Sequence, residues 1–286
     1  MFIAQAMIDG LLQGGVYALM ALGLSLVLGV LRIINLAHGN LVLIGMYTSY
    51  YLFALFGIDP YVSMLASAVV GFLLGYIIQW LVLNPITGAP EEMAVLVTLA
   101  IGLIIQNLLL TVCGTDYYTV DTSYRLETIM FQGLRVDLPK LLAFLSSLII
   151  VGGFFLFMEK TDIGRTIRAA TDNREAALLM GVNVRRIYCL AFGVGTVLAT
   201  LAGSSISTFI PTSQDAGVLF TMASFVIVIA GGIGSHKGLL LGGLLVGVLE
   251  EMGTLLFSGS LKQVMSLGLL VIILLVRPQG LFGKEA

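Results

Sequence analysis

The residues of this chain that could do chemistry stand where apolar sequence is interrupted. Segment 31–47, LRIINLAHGNLVLIGMY, sets Arg32, Asn35, His38, Gly39 and Asn40 between two apolar runs. Amide and imidazole side chains supply both donors and acceptors, so they can satisfy the backbone groups a broken helix leaves free. The same groups could instead touch a polar solute or form part of an inner gate. A second interruption, AGGIGSHKGLLLGGLL at 230–245, offers Gly231, Gly232, Gly234 and His236. Transporters often place such breaks at corresponding positions of two halves, with the solute bound nearby. Glu250 and Glu251 lie inside GGLLVGVLEEMGTLLF. Carboxylates within a span are costly and default to function; a structural hydrogen bond is an equal reading of Glu250. Neighbours on a helix point about 100° apart, so the two cannot share one face.

Other chemistries are excluded by missing patterns. There is no GxxxxGK[ST], HExxH or GxSxG, hence no P-loop, zincin or hydrolase-elbow signature. Cys113 and Cys189 are isolated in or beside apolar runs and read as small buried hydrophobes. No basic patch interleaved with aromatics suggests nucleic acid. The chain is expected not to be an enzyme and to bind no metal or cofactor itself.

The elements that must position these residues are membrane helices. The 286 residues are 58% hydrophobic and 10% charged, with mean hydropathy +1.05, against about 25% charge in a soluble domain. Apolar segments fall at 8–31, 40–56, 60–83, 93–113, 141–158, 187–209, 217–233, 238–257 and 261–276. An all-α polytopic bundle of about 8–10 embedded helices is expected, some discontinuous, with an internal inverted repeat suggested by the two interruptions. Residues 1–286 form one transmembrane domain in this reading. The short segments 40–56, 217–233 and 261–276 are candidates for tilted, broken or re-entrant helices. Gly71 and Gly75 make a GxxxG pair. The N-terminus lacks Lys and Arg, unlike a secretory leader, so the first helix is expected to remain.

Basic residues orient the bundle. With loop 159–186 cytoplasmic, that side holds Arg32, Lys160, Arg165, Arg168, Arg174, Arg185, Arg186, Lys237, Arg277 and Lys284. The other side holds Arg125, Arg135, Lys140 and Lys262. This predicts an external N-terminus and a cytoplasmic C-terminus. The external stretch 114–140 is rich in Tyr, Thr and Asp and reads either as a cap that receives a soluble partner or as an ordinary connection.

Loop 159–186 encodes a short helix. Asp172 with Glu175 three residues later resembles a capping box, and Gly181 stands where a left-handed terminator is wanted. The resulting helix, 173–180, is roughly 12 Å long. It is too short to span and too apolar on one side for water, so it wants a partner or the membrane surface.

EAALLMG at 175–181 resembles the core of the EAA motif of ABC importer permeases, whose loop forms a coupling helix seated in a cytoplasmic ATPase. The downstream Ile-x-Leu-Pro of that motif is absent; the chain reads YCLAFG. The whole chain is similar instead to the LivH side of the LivH/LivM branched-chain amino acid permeases. The resemblance is carried by GGVYALMALGLSLVLGVLRIINLAHGNLVLIGMY, GRTIRAATDNREAALLMGVNV, AGGIGSHKGLLLGGLLVGVLEE and RPQGLFG. It implies a multi-pass permease subunit of the bacterial inner membrane. A LivM-like second permease, two ABC ATPases holding ATP and magnesium, and an external solute-binding protein would be its partners. Asp172, Arg174, Glu175, Ala176, Ala177, Met180 and Gly181 would couple to the ATPases. Asn35, His38, Gly39, Asn40, Gly231, Gly232, Gly234 and Glu250 would lie on the path or its helix breaks. Branched-chain amino acids are the default solute; urea, short amides or other small polar compounds are the alternatives. A self-sufficient channel, or an ion-coupled carrier using Glu250 or His38 for protons, is the reading from another class; a channel has no reason to build the capped cytoplasmic helix.

Overall fold

In helices with so little charge, sequence punctuation decides where each one stops. The computed structural model describes residues 2–131, 133–232, 234–257, 262–277 and 280–282. Helix α1 (Phe2–Leu31) ends at Arg32, whose backbone is left-handed with φ 55°. Helix α2 (His38–Phe56) stops on Gly57, φ 67°, whose N–H returns to the Leu52 and Phe53 carbonyls. Asp59 caps α3 (Pro60–Ile78) by accepting from the Tyr61 N–H, with Pro60 at the first position. Helix α3 then loosens into a π turn (Gln79–Leu83) and a 3-10 turn (Asn84–Ile86) around Pro85. Helix α4 (Glu91–Cys113) carries two glutamates in its first turn, where the helix dipole favours them.

A small antiparallel hairpin follows, β1 (Thr128–Phe131) and β2 (Leu134–Asp137), with Thr128 opposite Asp137. Then come α5 (Leu138–Lys160), α6 (Asp162–Asp172), α7 (Arg174–Leu179), α8 (Val184–Ile206), α9 (Ala216–Gly231), α10 (His236–Leu256) and α11 (Lys262–Val276). Among the described residues, seven helices are long and apolar enough to cross a membrane. Two shorter apolar helices, Ala216–Gly231 and Val264–Val276, join them. The expected polytopic bundle is thus observed. Lys284, the closing residues Pro278, Gln279 and Gly283, and the side chains of His236 and Lys262 lie outside the described residues.

Helix α1 packs along α10, and α3 along α8. Glycines make both approaches close, as packing in lipid requires. A Cβ on Gly10 would stand 2.5 Å from the Val248 Cα. Gly71 and Gly75, the GxxxG pair, face Thr200 and Thr196. Helix α2 lies on α3 and α8; helix α9 lies on α10 and α1. Exchanging α1 with α8, α2 with α9, and α3 with α10 maps each of these packings onto another. Because α8 runs opposite to α1, the pattern is that of an inverted repeat.

Side chains mark the two ends of the bundle. At one end Gln5 meets the Arg135 backbone, Lys140 sits 3.5 Å from Asp9, and Tyr124 donates to Asp59 at 2.9 Å. Burial and the Asp59 carboxylate push the Tyr124 phenol pKa up. The opposite end holds α6 and α7. Loop 159–186 therefore contains two helices where the sequence reading expects one. Thr161 caps α6 by accepting from Gly164 N–H, and Ile167 and Ala170 are buried from it. Asp172 does not cap α7 as expected, because it closes α6. Asn173 takes that role, accepting from Ala176 N–H at 2.9 Å. Helix α7 accordingly runs Arg174–Leu179 rather than 173–180. Gly181 does end it, with φ 80°. The Gly181 N–H reaches Leu178 O and the Val182 N–H reaches Ala177 O, the paired bonds of a Schellman motif.

Candidate functional site: helix starts inside the bundle

The polar segment after α1 turns back into the bundle. His38 Nε2 lies 3.0 Å from the Met20 carbonyl, so this nitrogen must carry the proton. Met20 is well inside α1, eleven residues before Leu31 ends it. Asn40 Nδ2 donates to Gly102 O at 3.0 Å, and Gly102 sits at the midpoint of α4. Helix α2 therefore starts at mid-depth, and residues 32–37 are the irregular chain that reaches it.

Irregular backbone at such depth must find partners in protein. One hydroxyl serves the irregular chain twice: Thr98 Oγ1 accepts from Leu36 N–H at 3.3 Å and has Ile34 O at 2.9 Å as an acceptor, with Val95 O of its own helix at 3.0 Å as the other. Asn35 Oδ1 accepts from Ala37 N–H at 3.1 Å. Thr221 Oγ1 accepts from Gly39 N–H at 2.9 Å and donates to Gly217 O at 2.9 Å. Asn35, His38, Gly39 and Asn40 thus meet at one place, together with Thr98, Gly102, Gly217 and Thr221, which the sequence reading did not single out. A threonine in an apolar run gives no signal of its own. Gly217 has one in hindsight: it is the second residue of α9, as Gly39 is of α2.

The counterpart of the first break is consequently the start of α9, not 230–245. Gly217 packs on Asn40 and Gly39 on Gly217, leaving no room for a Cβ on either. The two helices begin side by side and run in opposite directions. Gly231 and Gly232 lie where α9 ends, and Gly234 lines a cleft with Arg168 and Asp172 of α6. These three glycines form a tight turn at the α6–α7 end rather than a break within a span. Glycine runs look alike in sequence whether they open a helix or close one.

Glu250 is 2% exposed. Tyr17 Oη donates to it at 3.0 Å, Gln13 Nε2 donates to Tyr17 Oη at 2.7 Å, and Ser266 Oγ lies 3.5 Å from Oε1. The carboxylate joins α1, α10 and α11 and borders a small cavity of about 100 Å³ beside Met222 and Val226. It is not gathered with the His38 group.

The break and α7 meet at the bundle end. Arg32 and Ile33, Thr87, Asn173 and Arg174 line one cleft of about 420 Å³. The Arg174 guanidinium carbon stands 5.9 Å from the centre of the Tyr188 ring, joining α7 to α8. Ala177 is buried, whereas Leu178, Leu179 and Met180 are 50%, 88% and 83% exposed.

A family model described as "Branched-chain amino acid transport system / permease component" matches residues 6–274. The high-affinity branched-chain amino acid transport system permease protein BraD of Pseudomonas aeruginosa is 29% identical, covering 98% of this chain and 95% of BraD. The corresponding LivH of Salmonella typhimurium is 27% identical over 99% of this chain and 96% of its own. Among solved structures, PsaBC from Streptococcus pneumoniae in complex with Fab aligns with a TM-score of 0.52. At 15% identity over 98% of this chain and 94% of that one, it is a likeness of fold alone.

Thr98→Val keeps the side-chain shape and removes the shared hydroxyl. An orphaned buried group costs about 1–3 kcal/mol, so this variant should unfold several degrees below wild type in detergent, and Thr98→Ser should restore the midpoint. Equal midpoints for Val and wild type would show that the break does not lean on Thr98. Glu250→Gln should reduce solute uptake in vesicles while leaving the unfolding midpoint and assembly in place. If assembly is lost instead, the carboxylate is structural.

Proposed function

The chain belongs to the branched-chain amino acid transport permease family, and on that premise we propose that it is the transmembrane permease subunit of an ATP-driven ABC importer for branched-chain amino acids. The observation that carries the coupling assignment is α7. A capped six-residue helix with two uncovered leucines, followed by an uncovered Met180 at its C-cap, is unstable in water unless something seats on it. A cytoplasmic ATPase is the partner that fits. A second, related permease would complete the path, two ATPases would bind ATP with magnesium, and an external binding protein would deliver the solute.

The side with α6 and α7 faces the cytoplasm in this reading of the bacterial inner membrane. Arg32, Lys160, Arg165, Arg168, Arg174, Arg185, Arg186, Lys237 and Arg277 all fall there. Arg125, Arg135 and Lys140 fall on the other side, in keeping with the positive-inside bias. The C-terminus is then cytoplasmic.

The shared cleft gives a mechanical route. An ATPase that prefers one position of α7 shifts α6 and α8 with it. The same shift presses on Arg32 and Ile33, the chain that leads to the start of α2. Movement there alters how the starts of α2 and α9 meet at mid-depth, where a solute would be admitted or released.

Replacing residues 171–186 with a Gly/Ser linker should abolish co-purification of ATPases from the host membrane while a second permease is retained. Gly181→Val should be milder. A β-branched residue at φ 80° costs at least about 1–2 kcal/mol, so the helix end misforms and uptake falls while ATP hydrolysis continues. Full coupled uptake by Gly181→Val, or ATPases retained by the linker variant, would refute the docking assignment.

A further inference from the structure

The loosened end of α3 has no role in the reading above. Its π turn, Gln79–Leu83, lies beside the first turn of α8, and such turns often accompany binding sites. Between the two lies a cavity of about 500 Å³ walled by Tyr76, Trp80, Asn84, Asn183, Arg185 and Arg186. The wall is held in shape from behind. Gln79 Nε2 donates to Asn84 Oδ1 at 3.0 Å, and Asn84 Nδ2 donates to Cys189 Sγ at 3.1 Å.

Charge says what fits. Two guanidinium groups line the cavity and no acidic side chain does. Among the described residues neither Arg185 nor Arg186 has a carboxylate within ion-pair distance. Both sit in the first turn of α8, where the helix dipole disfavours cations. Both arginines are exposed, and an anion drawn from outside the chain would complement them and the helix start together.

Position says what the anion is attached to. Leu73, Ile77 and Leu81 are exposed along α3 and lead up to the cavity. Trp80, the single tryptophan of the chain, is 59% exposed at its rim. An exposed apolar strip ending in an indole beside arginines marks the level where acyl chains give way to headgroups.

We propose that the cavity between the π turn of α3 and the first turn of α8 binds an anionic phospholipid, with Arg185 and Arg186 on the phosphate, Trp80 and Tyr76 against the glycerol region, and one acyl chain along Leu73 and Ile77. A basic pocket between helix ends on the cytoplasmic side is suited to this class of ligand. An ATPase surface would satisfy the arginines equally. It would not account for the apolar strip, which runs from the cavity into the span. The lipid would tie the inner ends of α3 and α8 together one turn from Tyr188, the ring under Arg174.

The test uses Trp80 as reporter in the complete assembly, reconstituted in phosphatidylcholine nanodiscs. Subtracting the emission of a Trp80→Phe assembly isolates this residue. Brominated phosphatidylglycerol should quench it at roughly fivefold or more lower mole fraction than brominated phosphatidylcholine. Arg185→Gln/Arg186→Gln should abolish that preference, and Arg185→Lys/Arg186→Lys should keep it. In wild type the preference should weaken as salt rises, a readout that holds even if the glutamine pair fails to accumulate. Equal quenching by the two lipids, or a preference indifferent to salt, overturns the proposal. So does a glutamine pair that loses its ATPases yet keeps the lipid preference, which would give the arginines to the ATPase.

Discussion

A helix can begin in the middle of a membrane protein only if other groups take up the hydrogen bonds its start leaves open. The segment between α1 and α2 depends on that condition. Its backbone groups are taken up by Thr98 of α4, Thr221 of α9 and its own Asn35, while the side chains of His38 and Asn40 anchor it to the Met20 carbonyl of α1 and the Gly102 carbonyl of α4. Helices α4 and α9, both distant in sequence, must therefore be in place together with α1 for α2 to start where it does. Glycine at 39 and 217 is the steric side of the same condition, because each helix start occupies the space a Cβ on the other would need.

The inverted arrangement follows from applying this twice. Helix α2 leaves mid-depth in one direction and α9 in the other. Each is flanked by a long glycine-lined pair, α1 with α10 and α3 with α8. Rigid pairs holding two short-circuited helices give a molecule that can be stiff at its seams and still change at its centre. The cleft shared by Arg32 and Asn173 links that centre to the exposed α7.

Much of this was legible in the sequence, and the failures have physical causes. Spans were visible because lipid demands uninterrupted apolar length, and segments such as 60–83 and 93–113 match α3 with its turns and α4 closely. The break at 31–47 was visible because its polar residues have no other reason to be there. Gly181 was correctly read as a stop, since only a left-handed residue closes that turn. Asp172 was misread for Asn173 because both residue types cap well, and α6 claims the first of them. Helix α6 itself was hidden by its charge, which in so apolar a chain resembles loop. The start of α9 was hidden because its partners, Thr221 and Gly217, become polar or close-fitting only once α2 is beside them. The run 230–245 drew attention in its place, although Gly231, Gly232 and Gly234 lie where α9 ends and α10 has yet to begin, at the bundle end.

Helices α2, α3 and α8 meet through small hydroxyl side chains. Ser204 Oγ lies 2.8 Å from Ser67 Oγ, 3.3 Å from Gly45 O and 3.1 Å from Thr200 O. Thr200 Oγ1 lies 3.0 Å from both Ser67 O and Val197 O. Each oxygen carries one hydrogen and has more than one place to put it. Were one helix to shift against its neighbour, the hydrogen could turn from an acceptor across the seam to one on its own helix, so that neither arrangement leaves the hydroxyl unpaired. The seam therefore has a partner for each of these hydroxyls on either side, while Gly45 and Gly71, seated against Thr200, keep the helices close.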